Sequence, residues 1–320
     1  MIKKLTAVTL VLIMALCLFS ACGENKTESD KLNIVCTVFP YYDWVRNIIG
    51  DSDTAEITLL LDSGTDLHSY QPTAADIITI TSADIFIFTG GTSDSWVDDV
   101  LSTSGDTDTK IIDLMSLISE DKLYCVEAIG EDEHHHDEGE EHNHTHDEHI
   151  WLSLKNAVIL TDEITKALCK KDSANKAIYE ENCRAYTEKL TELDKNFADG
   201  LSGLSKDTVI FADRFPFIYL IKDYNLNYHA AFSGCSAESE ASFETVKHLA
   251  DKTDELGISC ILITETGDGS VARTVNESTK NKSCEILTMN AMQSVTKDKT
   301  DFSYIEIMEE NLKTLEKALS

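Results

Sequence analysis

The 320-residue sequence predicts an α/β protein of two β/α lobes with mostly parallel sheets, joined by one long helix. Three observations carry this. Short apolar runs alternate with helical periodicity through residues 32–114, which argues for parallel strands with helical crossovers. The same alternation returns after residue 205. Between them, residues 173–201 place Ile178, Tyr179, Cys183, Tyr186, Leu190, Leu193 and Phe197 at three- and four-residue spacing, the stripe of a single long helix. The 42% apolar content suffices for real cores, and the length suits two ordinary domains.

In order, strand 32–38 (LNIVCTV) stops at Pro40, and a helix over 41–50 ends on Gly50. Strand 55–61 precedes the turn at 62–64, and Pro72 opens a helix over 74–81. Strand 84–89 ends on Gly90 and Gly91. A helix near 93–101 and a strand at 110–114 complete the first lobe. Helix 155–170 precedes the long one. In the second lobe the predicted strands are 208–212, 226–232, 258–264 and 284–288. The helices lie near Pro216 and over 243–256, 271–281 and 303–319. The domain organisation read from this is lobe one at 32–152, a helical linker at 153–204, and lobe two at 205–320. Each of the three prolines lies just past a strand or loop, at the edge where open α/β sheets place ligands.

The N-terminus reads as an export signal over residues 1–21. Lys3 and Lys4 form a charged start, Leu5 to Phe19 an apolar stretch, and Ser20 and Ala21 a small-residue exit. That stretch is short for a transmembrane helix. The ending LFSAC resembles a bacterial lipobox, in which Cys22 is lipidated; Phe19 is a less usual residue there, and an ordinary cleaved signal is the alternative. Residues 22–31 read as a polar tether. Seven further cysteines form no CxxC pair and read as buried small hydrophobes rather than a disulfide framework.

The net charge of −30 argues against a nucleic-acid partner and for the attraction of cations. The acidity peaks over residues 131–152, EDEHHHDEGEEHNHTHDEHIWL, which hold seven histidines, nine carboxylates and no Lys or Arg. Imidazole and carboxylate are borderline and hard ligands for divalent metals. An acidic run is ordinarily a solvated face, but seven histidines have no value for solubility. The tract at 131–148, with His134, His135, His136, His142, His144 and His146, is therefore read as a disordered metal-capturing loop. It ends on His149, where Ile150, Trp151 and Leu152 return the chain to folded structure. His68, in GTDLHSYQP, sits in a strand-to-helix loop after Gly64 and Asp66. His68 and His149 are the two candidate metal ligands of the folded part.

GTDLHSYQP followed at a distance by HIWLSLKNA resembles the solute-binding lipoproteins of bacterial zinc and manganese ABC importers. The resemblance extends over about residues 31–319. It implies two β/α lobes joined by a long helix, a metal site in the cleft between them, and His68 and His149 as ligands. It also implies a third ligand just past the first strand of lobe two. Aligning VIFADRFPFIYL on Phe217 and Tyr219 puts Arg214 there, or Asp213 with a one-residue shift. Arginine stays protonated and cannot ligate, so Asp213 is the candidate, with an Asp213–Arg214 structural pair as the alternative. For the fourth ligand Glu265 is favoured, with Glu240, Cys235 and His229 as weaker candidates; His248 reads as surface. The implied partners are a divalent metal, an ABC permease and the membrane through a lipid anchor, for a probable-monomer architecture that is not an enzyme. A zinc hydrolase would need an open coordination position and a general base, and no HExxH occurs. Zinc is favoured over manganese because of the histidine tract. A surface metal buffer or adhesin without a transporter is a further alternative.

Overall fold

The computed structural model describes residues 31–103, 108–125, 146–235, 240–296 and 303–320. Two four-stranded, all-parallel sheets organise them. The first contains β1 (Leu32–Cys36), β2 (Ala55–Leu59), β3 (Ile85–Phe88) and β4 (Lys110–Asp113), in the order β2-β1-β3-β4. The second contains β5 (Thr208–Phe215), β6 (Asn227–Ser233), β7 (Cys260–Thr264) and β8 (Glu285–Met289), in the order β6-β5-β7-β8. The two lobes therefore repeat one topology. In each the chain moves outward from its first strand and then returns to that strand's other side. This reversal creates a crevice at the carboxyl ends of the strands, where such sheets hold ligands. β3, with the sequence IFIF, is buried at every position, as expected of a strand covered on both faces.

The helices begin where local chemistry allows. α1 (Phe39–Ile49) carries Pro40 in its first turn, where its missing N–H costs nothing, and ends at Gly50 with φ 62°. α2 (Ala74–Thr81) opens with a reciprocal capping box between Thr73 and Asp76. α3 (Trp96–Thr103) completes the first lobe. α4 (Leu154–Lys171) is capped by Ser153, whose hydroxyl accepts from the Asn156 N–H. α5 (Lys176–Leu201) buries Tyr179, Cys183, Tyr186, Leu190, Leu193, Phe197 and Leu201, the stripe predicted from the sequence except for Ile178, which is exposed. At 26 residues it spans about 39 Å. α6 (Ile218–Asp223), α7 (Phe243–Glu255), α8 (Ser270–Ser278) and α9 (Tyr304–Leu319) belong to the second half of the chain. Among the described residues no helix is long and apolar enough to cross a membrane.

Two departures from the sequence reading affect the site. β5 continues to Phe215 instead of stopping at Ala212, and its pairing with β6 shifts register between Phe211 and Arg214. Asp213 therefore lies inside an irregular strand, not in a loop past it. α9 also does not serve the second lobe alone. At its start the Tyr304 N–H donates to Asp43 Oδ2 on α1, and the Tyr304 hydroxyl donates to the Trp151 carbonyl. One apolar core runs through both lobes, from Trp44 and Trp151 to Tyr304, Phe211 and Leu262, and a smaller cluster around Ile210, Ile261 and Val275 lies apart from it.

Candidate metal centre

The site residues all follow the carboxyl ends of strands. His68 lies in a 3-10 turn (Leu67–Ser69) beyond β2, and Asp66 caps that turn by accepting from the His68 N–H at 3.0 Å. His149 stands at the entry to a second 3-10 turn (Ile150–Leu152). Ile150, Trp151 and Leu152 are fully buried there, and the Trp151 indole N–H donates to the Ala291 carbonyl at 2.8 Å. The sequence brings the chain back from its polar tract by sinking three large apolar side chains, and the preceding histidine is held with them.

The two imidazoles face each other, Nε2 to Nε2, at 3.2 Å. Two nitrogens bound at 2.0–2.1 Å to one tetrahedral zinc ion would lie about 3.3 Å apart. The pair is thus already at the spacing of two ligands on one metal. Both come from the first lobe. Their other ring nitrogens are occupied: His68 Nδ1 meets Ser93 Oγ at 2.7 Å, and His149 Nδ1 meets Asp147 Oδ1 at 2.9 Å. Asp147 Oδ1 also accepts from the His149 N–H. A carboxylate behind a ligating histidine fixes its tautomer and raises its basicity.

The electrostatics of the pair are unequal. Burial and then the charge of His149 pull the His68 pKa down to about 4. His149 is also penalised by burial, but Asp147 and the hydrogen bonds to Asp147 and Gln293 outweigh this and hold its pKa above the usual value. Of the two rings, His149 is therefore the one whose surroundings favour protonation. When protonated, it donates from Nδ1 to Asp147 and from Nε2 to Gln293 Oε1 at 2.8 Å, with His68 Nε2 also accepting.

The second lobe closes the other side. Cys235 follows β6, and its Sγ, His68 and His149 form the one group of three metal-ligating side chains among the described residues whose donor atoms all lie within 4.8 Å of one another. The approach depends on Gly234. A Cβ at that position would lie 2.7 Å from Asp147 Oδ2 and 2.8 Å from the Phe215 carbonyl. Burial, then the nearby Asp147 and Glu148, push the Cys235 thiol pKa upward.

The other candidates lie outside this three-residue group. Asp213 Oδ2 accepts from both the backbone N–H and the hydroxyl of Thr264, and Oδ1 accepts from the Arg214 N–H, so its carboxylate serves the irregular stretch of β5. Arg214 reaches across the cleft to Asp66 Oδ2 at 3.1 Å and donates to Thr266. Glu265, directly after β7, accepts from the Ala291 N–H through Oε2, while Oε1 is buried without a hydrogen-bond partner. Burial raises its pKa to about 7. It lies outside the three-residue cluster. Glu240 is exposed, and His229 on β6 packs against His248, with ring centroids 5.3 Å apart. Cys22 and the tract histidines His134, His135, His136, His142 and His144 lie outside the described residues, while His146 is half-buried at the tract's end.

Four participants were not singled out in the sequence: Asp147, Glu148, Ser93 and Gln293. Asp147 and Glu148 look like the tail of the acidic tract, yet they are only 3% and 1% exposed. Glu148 Oε1 accepts from the Ser93 N–H, so it holds the loop whose hydroxyl orients His68. Their adjacency to His149 was the available signal. Ser93 and Gln293 carry no local motif.

Comparison with known proteins gives the same frame. Residues 34–318 match the family model ZnuA, zinc-uptake complex component A periplasmic. The chain belongs to this family. Among relatives, it is 32% identical over 310 residues to the zinc-binding lipoprotein AdcA of Streptococcus pneumoniae, covering 95% of this chain and 60% of that protein. The chain thus spans less than two thirds of AdcA's length. It is 30% identical over 323 residues to the high-affinity zinc uptake system protein ZnuA of Bacillus subtilis, covering 96% of each. The Zn(II)-bound ZnuA-like domain of S. pneumoniae AdcA superimposes with a TM-score of 0.72 at 30% identity, over 90% of this chain and 99% of that one. The metal-dependent lipoprotein YcdH of B. subtilis does so at 0.74 and 26%, with the same coverages. The two-lobed α/β architecture is that of the family.

Proposed function

We propose that this protein captures a zinc ion outside the cytoplasmic membrane, in the cleft between its lobes, and delivers it to an ABC-type importer. In this reading it is held at the membrane by a lipid on Cys22, with the histidine tract gathering metal for the cleft. The observation that carries the proposal is the His68–His149 pair, two buried imidazoles with Nε2 atoms 3.2 Å apart and their outer nitrogens fixed by Ser93 and Asp147. An enzyme would not need both imidazoles closed over by a second lobe. A carrier does, because metal held by groups from two lobes can be released when a second-lobe group withdraws. Family membership supports zinc as the cargo, as do the zinc-binding relatives.

Calorimetry of the purified protein should show one tight zinc equivalent that disappears in His68→Ala. The loss should exceed the roughly 100-fold that removal of an outer-shell partner costs. Unchanged tight binding in that variant would overturn the reading. For delivery, a strain lacking the protein should grow poorly in zinc-depleted medium and recover with added zinc; undiminished zinc uptake would separate binding from transport.

A further inference from the structure

The two histidines supply only half of a tetrahedral site. Among the described residues of the second lobe, four side chains are weighed for the third position, and their engagements differ. Arg214 is permanently cationic and already tied to Asp66 and Thr266. Asp213 has both oxygens engaged in the β5–β7 region. Gln293 offers an amide oxygen that His149 occupies. Among the described residues, only the Cys235 sulfur joins both imidazoles within a 4.8 Å group.

We infer that Cys235 Sγ is the third ligand of the cleft metal, completing a two-imidazole, one-thiolate site with His68 Nε2 and His149 Nε2, and that this sulfur sets the preference for zinc over manganese. The inference rests on the function proposed above. Zinc–sulfur bonds near 2.3 Å beside zinc–nitrogen bonds near 2.0 Å place sulfur and nitrogen about 3.6 Å apart in a tetrahedron. Cys235 Sγ therefore needs to approach by no more than about 1.2 Å to reach this spacing. Gly234 permits that approach, since any larger residue would strike Asp147 and the Phe215 carbonyl.

Ligation is a proton-for-metal exchange. The S–H bond breaks, a sulfur–metal bond forms, the proton leaves to solvent, and no electron changes hands. Thiolate is a soft donor that suits zinc and discriminates against manganese, which favours carboxylate and water oxygen. The thiolate also offsets one of the two metal charges in a cleft that already contains the Arg214 guanidinium. The fourth position is left to Glu265 or to solvent. Glu265 has a buried oxygen free of hydrogen bonds, and the carboxylate would balance the remaining charge.

Cobalt(II) tests this directly. One equivalent of Co(II) added to the full chain should produce a thiolate-to-cobalt charge-transfer band in the near ultraviolet, together with the visible bands of a tetrahedral site. In Cys235→Ser the charge-transfer band should vanish and zinc affinity should fall by more than tenfold, with the circular dichroism and thermal unfolding of the metal-free protein unchanged. Cys125→Ser is the control and should keep the band. In Cys235→Asp the zinc-to-manganese affinity ratio should fall. A first Co(II) equivalent that gives no charge-transfer band, or a Cys235→Ser variant with unaltered zinc affinity, would overturn the inference and leave the histidine site standing. Failure of His68→Ala to weaken zinc binding would instead remove the reading beneath it.

Discussion

The two walls of the cleft are built differently. On the first lobe each imidazole is fixed before any metal arrives. His68 is held by the Asp66 cap and Ser93, and His149 by Asp147 through both its ring and its backbone N–H. On the second lobe the polar side chains are engaged within their own sheet, tied across the cleft away from a metal, or left without partners. Asp213 serves Thr264, Arg214 serves Asp66, and one oxygen of Glu265 accepts nothing. The nitrogen half of the site is preorganised, and the other half is completed by approach. For a carrier this division is useful. A fixed half gives fast recognition, and a half that must be recruited gives a way to let go.

The largest test of this contrast is Asp147→Asn. If the first wall is preorganised through its carboxylate, zinc affinity should drop by roughly 10–100-fold, the range found when a histidine loses its outer-shell carboxylate. Calorimetry at fixed pH would show it. A change below about twofold would mean that His149 is positioned by burial alone.

The pH dependence sharpens the same point. Below its raised pKa, His149 carries a proton that metal must displace. Zinc affinity should therefore fall as the pH drops below that value, by up to about tenfold per unit for one displaced proton. His68, with its pKa pulled down to about 4, stays neutral throughout and adds nothing until that pH is reached. If two histidine protons were taken up near pH 6, followed by NMR of the imidazoles, the two rings would be equivalent and the asymmetry described here would be absent.

The smallest expected effect separates the cleft from the acidic tract. Deleting residues 131–145 should remove weak additional zinc equivalents and leave the tight one within about twofold. The deletion must stop before Asp147, because Asp147 and Glu148 are buried parts of the site. Loss of the tight equivalent in this deletion would make the tract part of the centre.

The sequence disclosed the strand–helix alternation, the long linking helix and the histidine pair because each has a local signature. Periodicity marks the elements, and DLHSYQP and HIWL mark the turns. What it did not disclose depends on distant contacts. β5 could not be seen to run on to Phe215, since its irregular register is set by pairing with β6 and by Thr264 of β7. Asp213 was expected at the metal from the motif alignment, which cannot show that Thr264 engages its carboxylate. Cys235 was a weak candidate because no pattern around a loop cysteine tells which strand end it will face. Asp147 and Glu148 were hidden by their composition, which is that of the tract they terminate.

The last helix has a mechanical consequence. Its first residue is fastened to Asp43 and to the Trp151 backbone in one half of the molecule, while its body packs beside β8 of the other. Gly64 is further latched to Val295 and Ser294 over the cleft. Jaws strapped at the back and buttoned at the front have little room to yawn. Under the transport role proposed above, unloading would release this front contact and ease one loop aside rather than swing the lobes apart.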